Sequence, residues 1–98
     1  MITKQFTDAD YPLLCDWWEA HGFPCVPFQS LSSTGYIVFQ GNQGLYAGFL
    51  YLPRDGNIAW VEWLVSNPKA SSEAKQEAFT GLINRIEQEA RKEGITLL

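Results

Sequence analysis

The stretch that decides the fold reads Ile58-Ala-Trp-Val-Glu-Trp-Leu-Val-Ser-Asn-Pro68 and leads into residues 72–93. Its first nine residues are almost continuously apolar, which predicts a central strand over 58–66 that is covered on both faces. The Asn-Pro pair ends this strand, and the apolar stripe of 72–93 predicts a long amphipathic helix that Gly94 terminates. A last strand is predicted over 95–98. A helix of this length between two strands predicts a right-handed crossover, so the two strands should be parallel.

Two turn signals precede this stretch. Residues 41–44 read Gly-Asn-Gln-Gly, and residues 53–57 read Pro-Arg-Asp-Gly-Asn, in which Asp-Gly is the stronger hairpin signal. They separate strands predicted over 36–40, 45–52 and 58–66, which should form an antiparallel meander. The chain is therefore predicted to be an α+β protein with a mixed, mainly antiparallel sheet.

The first third of the chain adds a strand, a helix and a loop. A short strand is predicted over 3–6, followed by a helix that is capped by Asp8 or Asp10 and ended by Gly22. Residues 23–34 contain two prolines and many apolar side chains, so they should form an ordered loop that packs on the sheet or on a ligand. We expect one domain over residues 1–98, with two main helices.

Composition narrows the classes of function. The chain has 98 residues, a net charge of −4 and no basic run, which argues against nucleic acid as a partner. No stretch approaches the roughly 20 apolar residues that a membrane span needs, so no membrane partner is expected. The N-terminus lacks the apolar core of a secretion signal, and a cytoplasmic location is therefore expected.

The two cysteines, Cys15 and Cys25, are expected to be reduced thiols in that compartment. The alternative is a disulfide between them. A zinc site is not expected, because His21 is the only histidine and no second cysteine pair exists. His21 itself is interpreted as a residue at the end of the first helix.

Several passages resemble the GNAT superfamily of N-acetyltransferases. They are Phe6-Thr7-Asp8-Ala9-Asp10 at a strand-to-helix entry, Leu64-Val65-Ser66-Asn67-Pro68 before the long helix, and Gly94-Ile95 after it. The aromatic-rich passages 17–22 and 59–63 are similar to small GNAT-like proteins of bacteriophages and prophages. The resemblance implies an acyl-CoA N-acyltransferase fold that lacks its C-terminal strands, with acetyl-CoA as cofactor.

The resemblance also implies where acetyl-CoA would lie. The thioester would meet the backbone of Leu64, Val65 and Ser66, and the pyrophosphate would lie near Ser71, Ser72 and Ala74. Family members carry glycines in this second region, because glycine lets the backbone approach the phosphates. Residues 69–76 contain no glycine, and Glu73 in the first helical turn would repel a phosphate. Binding of acetyl-CoA should therefore be weak.

Glu62 is the candidate catalytic residue. It lies inside an apolar strand, where burial would raise the pKa of its carboxylate and suit it to act as a general base. GNAT enzymes often place a base on this strand, so the resemblance points to the same residue. The alternative is a glutamate on a sheet face that meets solvent or a lysine.

Two functions follow from these observations. The first, which is the function we predict because most members of the family are enzymes, is an acetyl-CoA-dependent N-acetyltransferase with an unknown amine acceptor. The second is a non-catalytic GNAT-like protein that binds a protein partner, which the missing glycines and the missing C-terminal strands favour. We also expect a homodimer, formed through 95–98 or through the sheet face beside Trp60 and Trp63, because that strand edge carries no charge or proline to block association.

Overall fold

Four strands and two helices make up the fold. The computed structural model describes all residues from 1 to 98. The elements are β1 (Ile2–Gln5), α1 (Tyr11–Ala20), β2 (Gly35–Gln40), β3 (Gln43–Tyr51), β4 (Trp60–Ser66) and α2 (Ser72–Lys92), with short 3₁₀ turns at Asp8–Asp10 and Phe28–Ser30. The strands form one sheet in the order β1-β2-β3-β4, and every neighbouring pair is antiparallel. The predicted α+β class and the antiparallel meander are confirmed.

A capping box between Thr7 and Asp10 fixes the 3₁₀ turn that leads directly into α1. The Asp10 carboxylate accepts hydrogen bonds from the Thr7 backbone N–H at 2.9 Å and from the Thr7 hydroxyl at 3.1 Å. Lys4 lies 3.4 Å from the same carboxyl group, which is buried and would otherwise be an unpaired charge. Gly22 ends the helix with φ 85°, a left-handed conformation that glycine adopts without strain.

The ends of α2 follow the same rules. The Ser71 hydroxyl accepts a hydrogen bond from the Ala74 backbone N–H at 3.1 Å, which caps the first turn. Arg91 and Lys92 lie in the last turn, where the helix dipole favours cations. Gly94 follows with φ 80° and turns the chain back toward the sheet.

The core has two layers, one on each face of the sheet. Helix α2 covers one face, and the buried residues there are Tyr36, Val38, Leu45, Leu50, Ala59, Ala78, Leu82, Ile86, Ala90 and Ile95. Helix α1 and the segment after it cover the other face, and the buried residues there are Leu14, Trp17, Trp18, Val26, Ile37, Ala47, Phe49 and Val65. Strands β2 and β3 supply side chains to both layers, so they are the central strands.

The prediction that 58–66 forms a central strand is wrong. Strand β4 begins at Trp60 and lies at the edge of the sheet, where four of its seven residues are exposed. Trp60 is 54% exposed and Trp63 is 43% exposed. Apolar composition was the only basis for the prediction, and it does not distinguish a doubly covered strand from an exposed apolar edge.

The last strand, predicted over 95–98, is reduced to a single isolated bridge. Leu97 forms one parallel bridge with Ile58, and the Ala59 N–H donates to the Leu97 carbonyl at 3.0 Å. The N–H groups of Thr96 and Leu97 both donate to the Asn57 carbonyl, so the segment folds onto the preceding turn and forms no ladder. The parallel direction is as predicted. The sheet itself is entirely antiparallel.

No helix combines the length and the apolar character that crossing a bilayer requires.

Candidate functional site

Strand β4 contains a bulge that shapes the candidate site. Ala47 in β3 pairs with Val65 in β4, and Phe49 pairs with Glu62. Gly48, the one residue between Ala47 and Phe49, therefore lies opposite both Trp63 and Leu64. Trp63 has φ 59°, the only positive φ outside glycine in the chain. This conformation costs a side-chain-bearing residue about 1 kcal/mol or more, so packing around the bulge must hold it.

A groove lies beside the bulge on the α1 side of the sheet. One wall is residues 23–27, here called the wall segment, and the other wall is Trp63 and Leu64, while Trp18 and Ser30 complete the lining. The groove has a volume of about 570 Å³ and opens to solvent. No acidic, basic or histidine side chain lines it. Aromatic, proline and aliphatic groups dominate, which is typical of a site for an apolar ligand.

A disulfide attaches the wall segment to α1. Cys15 and Cys25 are bonded, with their Cα atoms 4.8 Å apart, so the expectation of two reduced thiols is wrong for this structure. The chain reverses at Gly22 and runs back along α1, which brings the second cysteine over the first. The Tyr11 hydroxyl donates to the Val26 carbonyl at 2.7 Å and lies 3.2 Å from the Cys25 sulfur.

The outer edge of β4 is open beyond its first residues. Backbone groups alternate in direction along a strand, and the Ala59 N–H faces outward to the Leu97 carbonyl. The backbone of Val61 must therefore also face outward, where no strand pairs with it. Farther along, His21 Nε2 lies 2.9 Å from the Ser66 carbonyl oxygen. The free part of the edge thus runs from Val61 toward the groove.

Glu62 lies on this strand but is exposed to solvent. It pairs with Phe49, which belongs to the α1-side core, so its register position is on the same face as the groove. It is not a lining residue of the groove. The burial on which its predicted role as a base depended is absent, and its placement matches the alternative of a glutamate that meets solvent.

The six residues predicted for acetyl-CoA fall into two groups. The first group is Leu64, Val65 and Ser66, which are consecutive in β4. Leu64 lines the groove. All three residues line a shallow depression that continues the groove past Phe23. Val65 is buried, so only its backbone could meet a ligand.

The second group is at the start of α2. Ser71, Ser72 and Ala74 line neither the groove nor the depression. The Ser71 hydroxyl already occupies the Ala74 N–H. The N–H groups of Ser71, Ser72 and Glu73 have no backbone acceptor, so these three donors are free for an anion.

Sequence reasoning missed the wall segment as part of a site. The apolar loop after α1 was expected to pack on the sheet or on a ligand; Val26 packs in the core beneath the sheet, and Phe23 stays 63% exposed beside the groove. The conformation of Trp63 had no local signal, because a tryptophan gives no indication of a left-handed backbone.

A polar cluster lies on the opposite side of the sheet. The Tyr36 hydroxyl donates to Glu89 at 3.2 Å, and the guanidinium of Arg85 lies 4.6 Å from the Tyr36 ring centroid and 3.4 Å from the Glu89 carboxylate. Burial raises the pKa of Tyr36 above 10.0; the charge of Arg85 opposes that rise and Glu89 adds to it. None of these three residues lines the groove. No group of three or more His, Cys, Asp or Glu side chains could hold a metal ion.

No protein-family model matches the chain, and no curated protein and no solved structure matches it. The GNAT resemblance therefore stays a hypothesis that depends on the sequence passages and on the order of elements.

Proposed function

We propose that this chain is a non-catalytic, GNAT-like module that binds an extended apolar segment of a partner protein in the groove. The observation that carries this proposal is the lining of the groove. Apart from Ser30 and the indole N–H groups of the tryptophans, its side chains carry no polar group, and its one cysteine, Cys25, is bonded to Cys15. General acid–base catalysis needs a titratable group within hydrogen-bond reach of the substrate, and a serine nucleophile needs an adjacent base; the lining supplies neither.

The kind of partner follows from the surroundings of the groove. The open edge of β4 beside Val61 offers unpaired backbone groups to an extended peptide, and the groove offers an apolar site for one of its side chains. Glu62 is exposed on the same strand, and the chain carries a net charge of −4. Charge complementarity therefore favours a segment in which Lys or Arg lies close to the apolar side chain.

The start of α2 also favours binding over acetyl transfer. A pyrophosphate would need the free N–H groups of a helix N-terminus. Here the Ala74 N–H is capped by Ser71, and the Glu73 carboxylate lies in the first turn, where it repels an anion. These features weaken the case for an acetyl-CoA site.

An acetyl-CoA-dependent N-acetyltransferase is the second candidate, and the bulge favours it. The bulge lies in the stretch where the GNAT resemblance puts the thioester, and the outward backbone there could donate to a developing oxyanion. Glu62, directly or through a water, would take the proton of the acceptor amine. A cytoplasmic location is part of both proposals, and in that compartment the Cys15–Cys25 bond would form transiently, under oxidising conditions.

Selection from a displayed library of random short peptides tests the binding function. We expect enriched peptides that combine an aromatic or aliphatic side chain with Lys or Arg. Their affinity should fall about tenfold or more in F23A and W63G, because each variant removes one wall of the groove. E62Q should weaken only the basic peptides. Failure to enrich any peptide, or enrichment of peptides insensitive to both wall variants, would refute the proposal.

Calorimetric titration with acetyl-CoA separates the two candidates. The binding function predicts no heat of binding, and no transfer to a panel of amines. Saturable acetyl-CoA binding together with transfer that E62Q abolishes would favour the acetyltransferase instead.

A further inference from the structure

The wall segment is held in place by few contacts. Residues 24–26 take part in no backbone–backbone hydrogen bond, and two prolines leave the segment without two of its N–H donors. Its noncovalent attachments are the Phe23 N–H to the Trp18 carbonyl at 2.9 Å, the Ser30 N–H to the Pro27 carbonyl at 2.9 Å, the Tyr11 hydroxyl to the Val26 carbonyl, and the packing of Val26 and Cys25 on the α1-side core.

The next part of the same loop is attached differently. Ser32 donates to the Leu50 carbonyl at 2.6 Å, and the Tyr51 hydroxyl donates to the Ser30 carbonyl at 2.7 Å. These bonds fasten residues 30–32 to β3 whatever the state of the cysteines. The wall segment has no such bonds to β3. Apart from the chain itself, the disulfide is its one covalent link to the rest of the fold.

The disulfide is also within reach of a reductant. Cys25 lines the open groove, and both cysteines are only half-buried. A thiolate that enters the groove could attack the Cys25 sulfur without unfolding the core.

We propose that the Cys15–Cys25 disulfide is a redox control of the groove. In the oxidised protein the wall segment is fixed and the groove is formed. In the reduced protein the segment is released and the groove loses one wall. This inference rests on the proposed function in one respect, namely that the groove binds an apolar ligand. The release of the wall itself does not depend on any ligand.

The step is an ordinary thiol–disulfide exchange with a dithiol reductant. One thiolate of the dithiol attacks the Cys25 sulfur, the bond to Cys15 breaks, and a mixed disulfide forms. The second thiol of the dithiol then displaces Cys25. Two electrons and two protons pass to the protein, which gains two thiols, and the dithiol becomes a disulfide.

Release of the wall should weaken ligand binding for an entropic reason. A ligand of the reduced protein must order the segment before it can contact both walls, and that cost is absent when the disulfide has already ordered it. The fold should survive reduction, because the α2-side core and the hydrogen bonds between Thr7 and Asp10 involve neither sulfur nor the wall segment.

Amide hydrogen exchange tests the release of the wall. Oxidised protein, protein reduced with dithiothreitol, and the C15S/C25S variant should be compared. We expect exchange at Phe23, the one wall residue whose N–H is hydrogen-bonded, to be at least about tenfold faster after reduction, and exchange at the central-strand residues Ile37 and Ala47 to be unchanged. C15S/C25S should match the reduced protein, and dithiothreitol should not alter it. Equal exchange at the wall in the oxidised and reduced states overturns the proposal.

Binding of the dye 8-anilinonaphthalene-1-sulfonate tests the control of the groove. Only the part of the binding that W63G and F23A remove counts as groove binding. That part should weaken about tenfold on reduction. Faster wall exchange with unchanged groove affinity overturns the redox control. No groove binding in either state means that the proposed function fails, and the exchange experiment then still decides whether the disulfide holds the wall.

Discussion

Gly48 lies beneath the side chain of Leu64, so close that a Cβ on the glycine would be 2.7 Å from the leucine Cδ2. Because Gly48 in β3 has no side chain, two residues of β4, Trp63 and Leu64, can lie opposite it. The bulge, and with it the groove wall at Trp63, depends on this contact across the sheet.

Gly48→Ala should destabilise the fold by about 1 kcal/mol, because the new methyl group forces the leucine aside. The cost stays modest because Leu64 is 40% exposed and its end can move. In an L64A background the same change should be neutral or slightly stabilising, since alanine is less costly than glycine in a strand. Urea unfolding of the two single variants and the double variant measures this coupling.

Gly35→Ala is the matched comparison. A Cβ there would collide with two ring atoms of Phe49, which is fully buried. The buried ring has no room to shift, so we expect a loss of about 3 kcal/mol. Equal losses for the two glycine variants would contradict the role assigned to Leu64.

Trp63→Gly should leave a more stable protein than Trp63→Ala, by about 1 kcal/mol. Both variants remove the indole, so the difference between them isolates the backbone. In an ordinary strand position alanine is favoured over glycine by a similar amount, so a positive φ reverses the usual order. Chemical denaturation of both variants is the measurement. An alanine variant that is the more stable would mean that φ at this residue is not positive in solution.

The hairpins were predictable because their signals are local. The Gly-Asn-Gln-Gly and Asp-Gly turns each fix a chain reversal within a few residues, and β2, β3 and β4 follow from them. The caps of α2 are equally local, and its predicted start at Ser72 is confirmed. The position of 58–66 within the sheet is not a local property. Nothing in its sequence tells whether another strand follows on its outer side.

The groove could not be predicted, for a similar reason. Its two walls come from the segment after α1 and from the bulge in β4, and their approach depends on tertiary packing. The bulge itself depends on Gly48, and a glycine within a strand is compatible with either a bulge or a close approach of another group. The pairing of Cys15 with Cys25 depends on the chain reversal at Gly22, and a cysteine count does not reveal that.

Stability at high pH should depend on Tyr36. Its pKa is raised in the folded protein, mainly by burial, so the unfolded chain loses this proton at a lower pH than the folded protein does. The stabilising contribution is complete below the unfolded value of about 10 and is lost as the pH rises through the folded pKa. Tyr36→Phe should therefore reduce the fall in unfolding free energy above about pH 10. Tyr46→Phe is the control for general effects of tyrosine removal. Identical alkaline slopes for wild type and Y36F would contradict this assignment.

Glu73→Gly should tighten acetyl-CoA binding if the cofactor binds with its pyrophosphate at the start of α2. The variant removes a negative charge from the first turn and lets the backbone come closer to a phosphate. Glu73→Gln is the control, because it removes the charge alone. Calorimetry on the three proteins gives the comparison. Unchanged affinity in both variants would count against a pyrophosphate near Ser71, Ser72 and Ala74.

A homodimer should form at the outer end of β4, where the C-terminal segment meets the sheet. Four apolar side chains are 45% to 59% exposed there: Ile58, Trp60, Leu97 and Leu98. So large an exposed apolar group is uncommon on a small monomeric domain, and a two-fold contact would cover it on both copies. The groove wall at Trp63 lies farther along the strand, at the bulge, so a dimer at the outer end would leave Phe23 free.

Sedimentation velocity at high micromolar concentration should show a species of twice the 11.1 kDa chain. Trp60→Glu should return it to the monomer, because two-fold symmetry brings each introduced carboxylate close to the apolar patch of the other copy. Phe23→Ala, which changes an equally exposed aromatic residue at the groove, should leave the dimer intact. A wild-type protein that sediments as a single chain at that concentration would refute the dimer. Loss of the dimer in F23A alone would place the contact at the groove, and would make a second copy the occupant that competes with a partner peptide.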